Sequence, residues 1–269
     1  MTERELRVLR WYAMVVGVLL LTPLVVMLLA SVNNGFTIFL PPRDWGFRWY
    51  GEAIRNDFLV EAFRFSMMTA AASAAFAVVL GVAAGFAIAR YRFPGRNLLH
   101  AAVMTPLLIP TVVVAIGILQ LFSSLGIPIS PEGLVAGHTA ASLPFVTRLT
   151  LAGIGAIDPR LESAALSLGA SRWLMYRTVV YPQIRPAVLS GLILAFLLSL
   201  EETTIAIFTS TPGATTLPVQ LLRYYANRSD PLVAAASSIL LVLTVLAAYL
   251  LDRRFGLLKL LSGNDSTGR

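Results

Sequence analysis

Three charged side chains lie inside otherwise apolar runs, Arg148 in SLPFVTRLTLAG and Glu201 and Glu202 in LLSLEETTIAIF. A charge at mid-membrane costs about 2.5–3.5 kcal/mol, so such a residue points to a transport or proton path and calls for a named partner. Counting 1.5 Å per helical residue places Glu201 about 22 Å and Arg148 about 15 Å from the inner ends of their segments. Side chains lean toward a helix N-terminus, so in two antiparallel helices these charges lean toward each other. One reading pairs Arg148 with one glutamate and leaves the other facing a pathway. The other has Arg148 snorkelling and both glutamates at the outer headgroups. Adjacent helical positions point about 100° apart, so one arginine does not easily serve both carboxylates.

Other chemistry has no support in the sequence. There is no cysteine, and the two histidines, His100 and His138, are far apart and suit packing or interfacial roles better than a metal site. No GxSxG, HExxH or GxxxxGK[ST] pattern occurs, so neither hydrolytic catalysis nor a phosphate-cradling loop is expected, and any ATP-driven step needs another chain. The net charge of +7 could suggest nucleic acid, but the basic residues sit at the ends of apolar runs rather than along one stripe.

The elements that must hold these charges are membrane spans. The chain is 57% hydrophobic and 13% charged, about half the charged share of a soluble domain. Apolar runs place spans at about 11–32, 65–89, 98–125, 133–157, 186–208 and 231–251, an all-α membrane domain occupying the whole chain. The first run is too long for a signal-peptide core and carries Trp11 and Tyr12 at its edge, so it is expected to be retained. Pro106 and Pro110 kink the third span, which is expected to line a pathway. The second span is uncharged and rich in alanine and glycine, suited to close helix contacts. Trp45, Trp49 and Tyr50 in the first polar loop read as interfacial anchors or as an aromatic contact to a ligand from outside. With both termini on one side, 14 Lys and Arg flank the inner ends and 6 the outer, which puts the termini and the 158–182 loop in the cytoplasm. The final SGNDSTGR reads as a disordered tail.

That loop, DPRLESAALSLGASRWLMYRTVVYP, is the polar stretch between the fourth and fifth spans. Asp158 is a fit N-cap and Pro159 a fit first helical residue. Glu162 sits near the positive end of the helix dipole, one residue short of capping-box spacing. Leu161, Ala164, Ala165 and Leu168 form an apolar stripe that ends at Gly169. It reads either as an amphipathic linker on the membrane surface or as a face that another protein approaches closely.

SAALSLGASRWLMYRTVVYP resembles the cytoplasmic EAA loop of binding-protein-dependent ABC importer permeases: Ala164, Ala165, Gly169 and Pro182 match in type and spacing. Ser163 stands at the family's glutamate, with Glu162 one residue early. FRWYGEAIRND, ARYRFPGRN, PLLIP, SLPFV and SLEETTIAIFTSTPGATTLP are similar to the spermidine/putrescine-type branch. The resemblance implies a type I importer (MetI-like) fold in the bacterial inner membrane and no enzymatic activity in this chain. ATP and Mg would be held by a separate dimer of ATPase subunits. A second, non-identical permease subunit and an external solute-binding protein complete the implied set. It further implies that Glu162, Ser163, Ala164, Ala165, Leu168, Gly169, Ala170 and Pro182 belong to a coupling helix on the ATPase. Trp49, Thr111, Arg148, Glu201 and Glu202 would then line the path of a small, cationic, polyamine-like solute. Thr111 stands where some polyamine permeases carry an acidic residue. The alternatives from residues alone are an ion-coupled carrier or channel using Arg148, Glu201 and Glu202, or a membrane scaffold.

Overall fold

The computed structural model describes residues 3–211 and 213–255, and the expected tail lies outside them. The described residues are helical apart from turns and two isolated bridges. The helices are α1 (Glu3–Ser31), α2 (Arg48–Arg55), α3 (Asp57–Arg90), α4 (Arg96–Leu108), α5 (Thr111–Ser124), α6 (Pro131–Gly155), α7 (Pro159–Ser167), α8 (Arg172–Met175), α9 (Tyr181–Glu201), α10 (Thr204–Thr209), α11 (Leu217–Asn227) and α12 (Leu232–Phe255). Four helical stretches are long and apolar enough to cross a membrane, and the bent pairs α4–α5 and α6–α7 bring the number to six if each pair is one span.

The described residues pack as two compact units, 3–61 with Gln220–Val245, and 62–211 and 213–219 with 246–255. In the first unit, α1 leaves almost its whole apolar surface exposed, as a lipid-facing span does. Tyr50 joins its end to α12, its hydroxyl 2.8 Å from Ser31 Oγ and 2.8 Å from Ser238 Oγ.

The second unit is organised around α6. Gly81 and Gly85, one turn apart on α3, face it so closely that an added Cβ would lie 2.9 Å from Val146 and 2.8 Å from Thr150. On the α9 side, Gly153 meets Ala187 and Gly191 meets Val146. Polar side chains complete this seam, with His138 Nδ1 2.8 Å from Ser199 Oγ and Ser142 Oγ donating to the Ala195 carbonyl at 3.5 Å. His138 is thus a packed histidine inside the bundle.

Two expectations about the spans are corrected. The third run is not one kinked helix but two, α4 and α5, which meet at 114°. Pro110 has no N–H to continue the ladder, and it forces Ile109 into extended backbone (φ −101°, ψ 136°). The fifth span begins well before residue 186, since Arg172–Glu201 is one 30-residue helical stretch. Pro182 lies within it. A π-turn over Tyr176–Val180, closed by Tyr181 N–H to the Tyr176 carbonyl, underwinds the helix where the proline ring would otherwise strike the preceding turn.

Gly85→Leu should lower the melting temperature of the detergent-solubilised protein, because overpacking costs about 1–3 kcal/mol. Gly117→Leu, where an added Cβ meets nothing within 4 Å, should not. Equal melting shifts for the two would mean that close approach at Gly85 is not what holds α3 to α6.

Candidate functional site

The loop after α6 turns by 64° into α7. Asp158 caps it as expected, its carboxylate accepting the Arg160 N–H at 2.9 Å, and Pro159 fills the first position. The other end is a complete Schellman motif: Gly169 N–H reaches the Leu166 carbonyl at 3.0 Å and Ala170 N–H the Ala165 carbonyl at 3.1 Å. Gly169 takes φ +87° with open space where a Cβ would sit, so backbone conformation and not crowding asks for glycine here. Ser171 Oγ then accepts from Leu174 N–H at 3.2 Å and restarts the helix. The loop therefore ends near residue 171, leaving Pro182 outside it.

The expected stripe is split. Ala165 packs against the buried cluster of Ile154, Ile157, Met175, Val180 and Ile184. Leu168 has left the helix as its C-cap and stands 89% exposed, with Leu161, Ala164, Leu166 and Leu174 also exposed. Ser163 is exposed as well, and its hydroxyl turns back to the Pro159 carbonyl at 3.1 Å. Glu162 forms an ion pair with Arg90, the last residue of α3, with both side chains mostly buried. Nothing along the chain signals this pair, because its members are 72 residues apart. It ties the loop to the second span.

Arg148 does not meet either glutamate. Contacts between α6 and α9 match residue 138 with 199, 142 with 195 and 146 with 191, which sets Arg148 level with Leu189. Glu201 is twelve residues farther along the helix, an axial offset of about 18 Å and beyond the reach of the two side chains. Arg148 is exposed, between buried Val146, Thr147, Leu149 and Thr150. Glu202 caps instead: it ends α9, and its Oε1 accepts the Ile205 N–H of α10 at 3.1 Å. This break lets Ile205 and Ala206 pack into the cluster of Ala115, Leu134 and Val219. Glu201, the last residue of α9, is exposed, and Thr111 opens α5 half-buried.

In the first unit, Trp49 is buried, and its indole N–H donates to the Gly35 carbonyl at 2.9 Å. Its ring meets Phe36 edge-on at 5.8 Å. It lines a cavity of about 450 Å³ with Arg48, Glu52, Arg55, Arg228 and Asp230. Beside that cavity, burial first and then the hydrogen bond donated to Asp230 raise the Tyr224 pKa above its usual value.

Residues 77–256 match the family described as binding-protein-dependent transport system inner membrane component. The chain is 32% identical over 238 residues to the spermidine/putrescine transport system permease protein PotC of Escherichia coli K12, covering 86% of this chain and 88% of that protein. It is 31% identical to the putrescine transport system permease protein PotI of the same strain, covering 87% of each. It is 33% identical to the molybdate/tungstate transport system permease protein WtpB of Thermococcus kodakarensis, over 76% of this chain and 83% of that protein. Among solved structures, a bacterial ABC transporter involved in alginate import superposes with TM-score 0.70 at 15% identity, covering 95% of this chain and 99% of that one. The inward-facing MetNI methionine transporter gives 0.61 at 19% identity, over 73% and 94%.

Glu162→Gln should speed tryptic cleavage after Arg160 about fivefold to tenfold, the effect of losing roughly 1–1.4 kcal/mol of local protection. Unchanged cleavage would mean that the Arg90 pair does not hold α7 in place.

Proposed function

Because the chain belongs to the family of binding-protein-dependent transport system inner membrane components, we propose that it is a permease subunit importing a small, cationic, polyamine-like solute. ATP would be hydrolysed, with Mg, on a separate pair of ATPase subunits that dock on the 158–171 loop. The observation that carries this reading is the exposed apolar surface of that loop. Leu161, Leu166 and Leu168 stand in the open on a segment fixed at both ends by caps and in the middle by Arg90. Apolar surface held rigidly in water is unfavourable, and covering it with another protein lowers the free energy. The Lys and Arg bias supports a cytoplasmic loop and cytoplasmic termini, counting α4–α5 as one span and α6 without α7 as the next.

For the solute, Glu201 is exposed where α9 ends and Glu202 is only half-buried beside it. Two adjacent carboxylates attract a polycation and repel an oxyanion, which favours the polyamine relatives over the molybdate/tungstate one as guides. The solute would arrive on an external binding protein. A second, non-identical permease subunit would complete the pathway and cover faces such as the one carrying Arg148. The 18 Å offset of about twelve residues between Arg148 and Glu201 gives an ion-coupled carrier no charge cluster to work with.

Leu168→Asp should fold normally, since the side chain is already exposed, yet lose co-purification with the ATPase and with it ATP-driven uptake. Co-purification at the unmutated level would end the docking reading. The double change Glu201→Gln with Glu202→Gln keeps an acceptor for the Ile205 N–H while removing both charges. It should lower polyamine uptake into vesicles at least tenfold, a loss of about 1.4 kcal/mol. Undiminished uptake would take the carboxylates out of the path.

A further inference from the structure

A groove of about 640 Å³ runs between α3 and the Arg172–Glu201 helix. Val78, Val82, Ile184 and Val188 wall it, and Phe86 and Tyr176 close its base with an edge-on ring contact at 6.1 Å. At one end the lining changes to Tyr91, Trp173, Arg177 and Tyr181. Trp173 is 74% exposed, and Arg177 is exposed with no ion pair among the described residues, whereas neighbouring Arg90 is neutralised by Glu162.

We propose that this groove binds one acyl chain of an anionic phospholipid, with the phosphate held by Arg177 inside the ring of aromatic side chains.

Dimensions support this occupant. From Arg177 to Val188 the helix rises about 16 Å, close to half of a ~30 Å hydrocarbon core and so to the depth of one leaflet. The chemistry changes along that length as a lipid does, from aliphatic walls to tyrosine, tryptophan and a cation at headgroup level. The π-turn produces this arrangement. In a regular α-helix Tyr176 and Tyr181, five residues apart, would point about 140° from each other, while one wider turn brings Tyr176, Arg177 and Tyr181 to the same groove.

A helix from another protein chain suits the surface less well. Membrane helix contacts use small residues, but bulky aliphatic and aromatic side chains line this groove, and Gly81 and Gly85 of α3 are spent on α6. Covering the mouth with protein would also bury Arg177 without a partner. The assignment to the cytoplasmic leaflet rests on the orientation proposed above; the site itself does not.

The test is lipid retention by native mass spectrometry, on the protein purified with its associated subunits from nanodiscs of equal parts phosphatidylglycerol and phosphatidylcholine. Phosphatidylglycerol should be retained about fivefold over phosphatidylcholine, the preference expected of one basic residue near the surface. Arg177→Gln, a change at an exposed position, should abolish that preference. Val82→Trp should abolish retention of both lipids. Retention unaltered by both variants, or no retained lipid, overturns the proposal. So does efficient cross-linking of Trp173→Cys to another subunit in native membranes, which would show the groove filled by protein. Loss of the ATPase from the same preparation is scored separately and speaks only to the importer reading.

Discussion

The constraint on which the second unit rests is close approach along α6. In lipid there is little hydrophobic force between helices, so association depends on van der Waals packing and on polar contacts that need backbones near one another. Gly81 and Gly85 admit α6 to α3, while Gly153 and Gly191 admit it to α9. The same proximity lets His138 find Ser199 and Ser142 find the Ala195 carbonyl. Because these contacts sit at fixed intervals along both helices, they set an axial register as well as a distance.

That register decides what the charged residues can do. It carries Glu201 and Glu202 about 18 Å beyond the level of Arg148, so that the carboxylates mark the end of α9 and not a mid-bundle ion pair. With no cation to meet, Glu202 is free to cap α10, and the break it caps turns Ile205 and Ala206 onto α5 and α6. At the opposite end, the register brings the turn after α6 beside the start of the fifth span. There Ala165 closes over Ile154, Met175 and Ile184, and the leucines around it are left outside.

The sequence was legible wherever the signal is local. Asp158, Pro159 and Gly169 specify caps and a left-handed residue through their own backbone chemistry, and the structure uses all three in those ways. The apolar runs likewise mark where long helices form. Register between helices has no such signature. Depth within each span suggests that Arg148 approaches one of the glutamates, and only tertiary contacts reveal the offset. Arg90 and Glu162 meet through the fold, so their pairing is invisible along the chain. The two prolines of the third run announced a disturbance but not a 114° turn, whose size depends on what α5 packs against. Trp49 shows the other limit: an aromatic residue in a polar loop reads as an anchor, but its burial comes from the fold of residues 33–49 around it.

The 30-residue stretch from Arg172 to Glu201 joins every feature with a proposed role. The exposed loop feeds its first turn, the groove lies against its first half, and the carboxylates stand at its far end, about 45 Å away. A helix transmits displacement as a rod except where its hydrogen-bond ladder is weakened. Here the weak points are the π-turn, Pro182 and Pro186, all within the first half of the rod. Beyond them α9 is clamped to α6 through Gly191, Ala195 and Ser199. A push on the loop is therefore absorbed at the π-turn unless something braces it. Arg90 and Glu162 supply one brace from α3, and the lipid proposed for the groove beside Tyr176, Arg177 and Tyr181 would supply the other. If the loop is the docking point and the carboxylates line the path, as proposed above, stiffness of this joint would govern how much motion at the loop reaches Glu201 and Glu202.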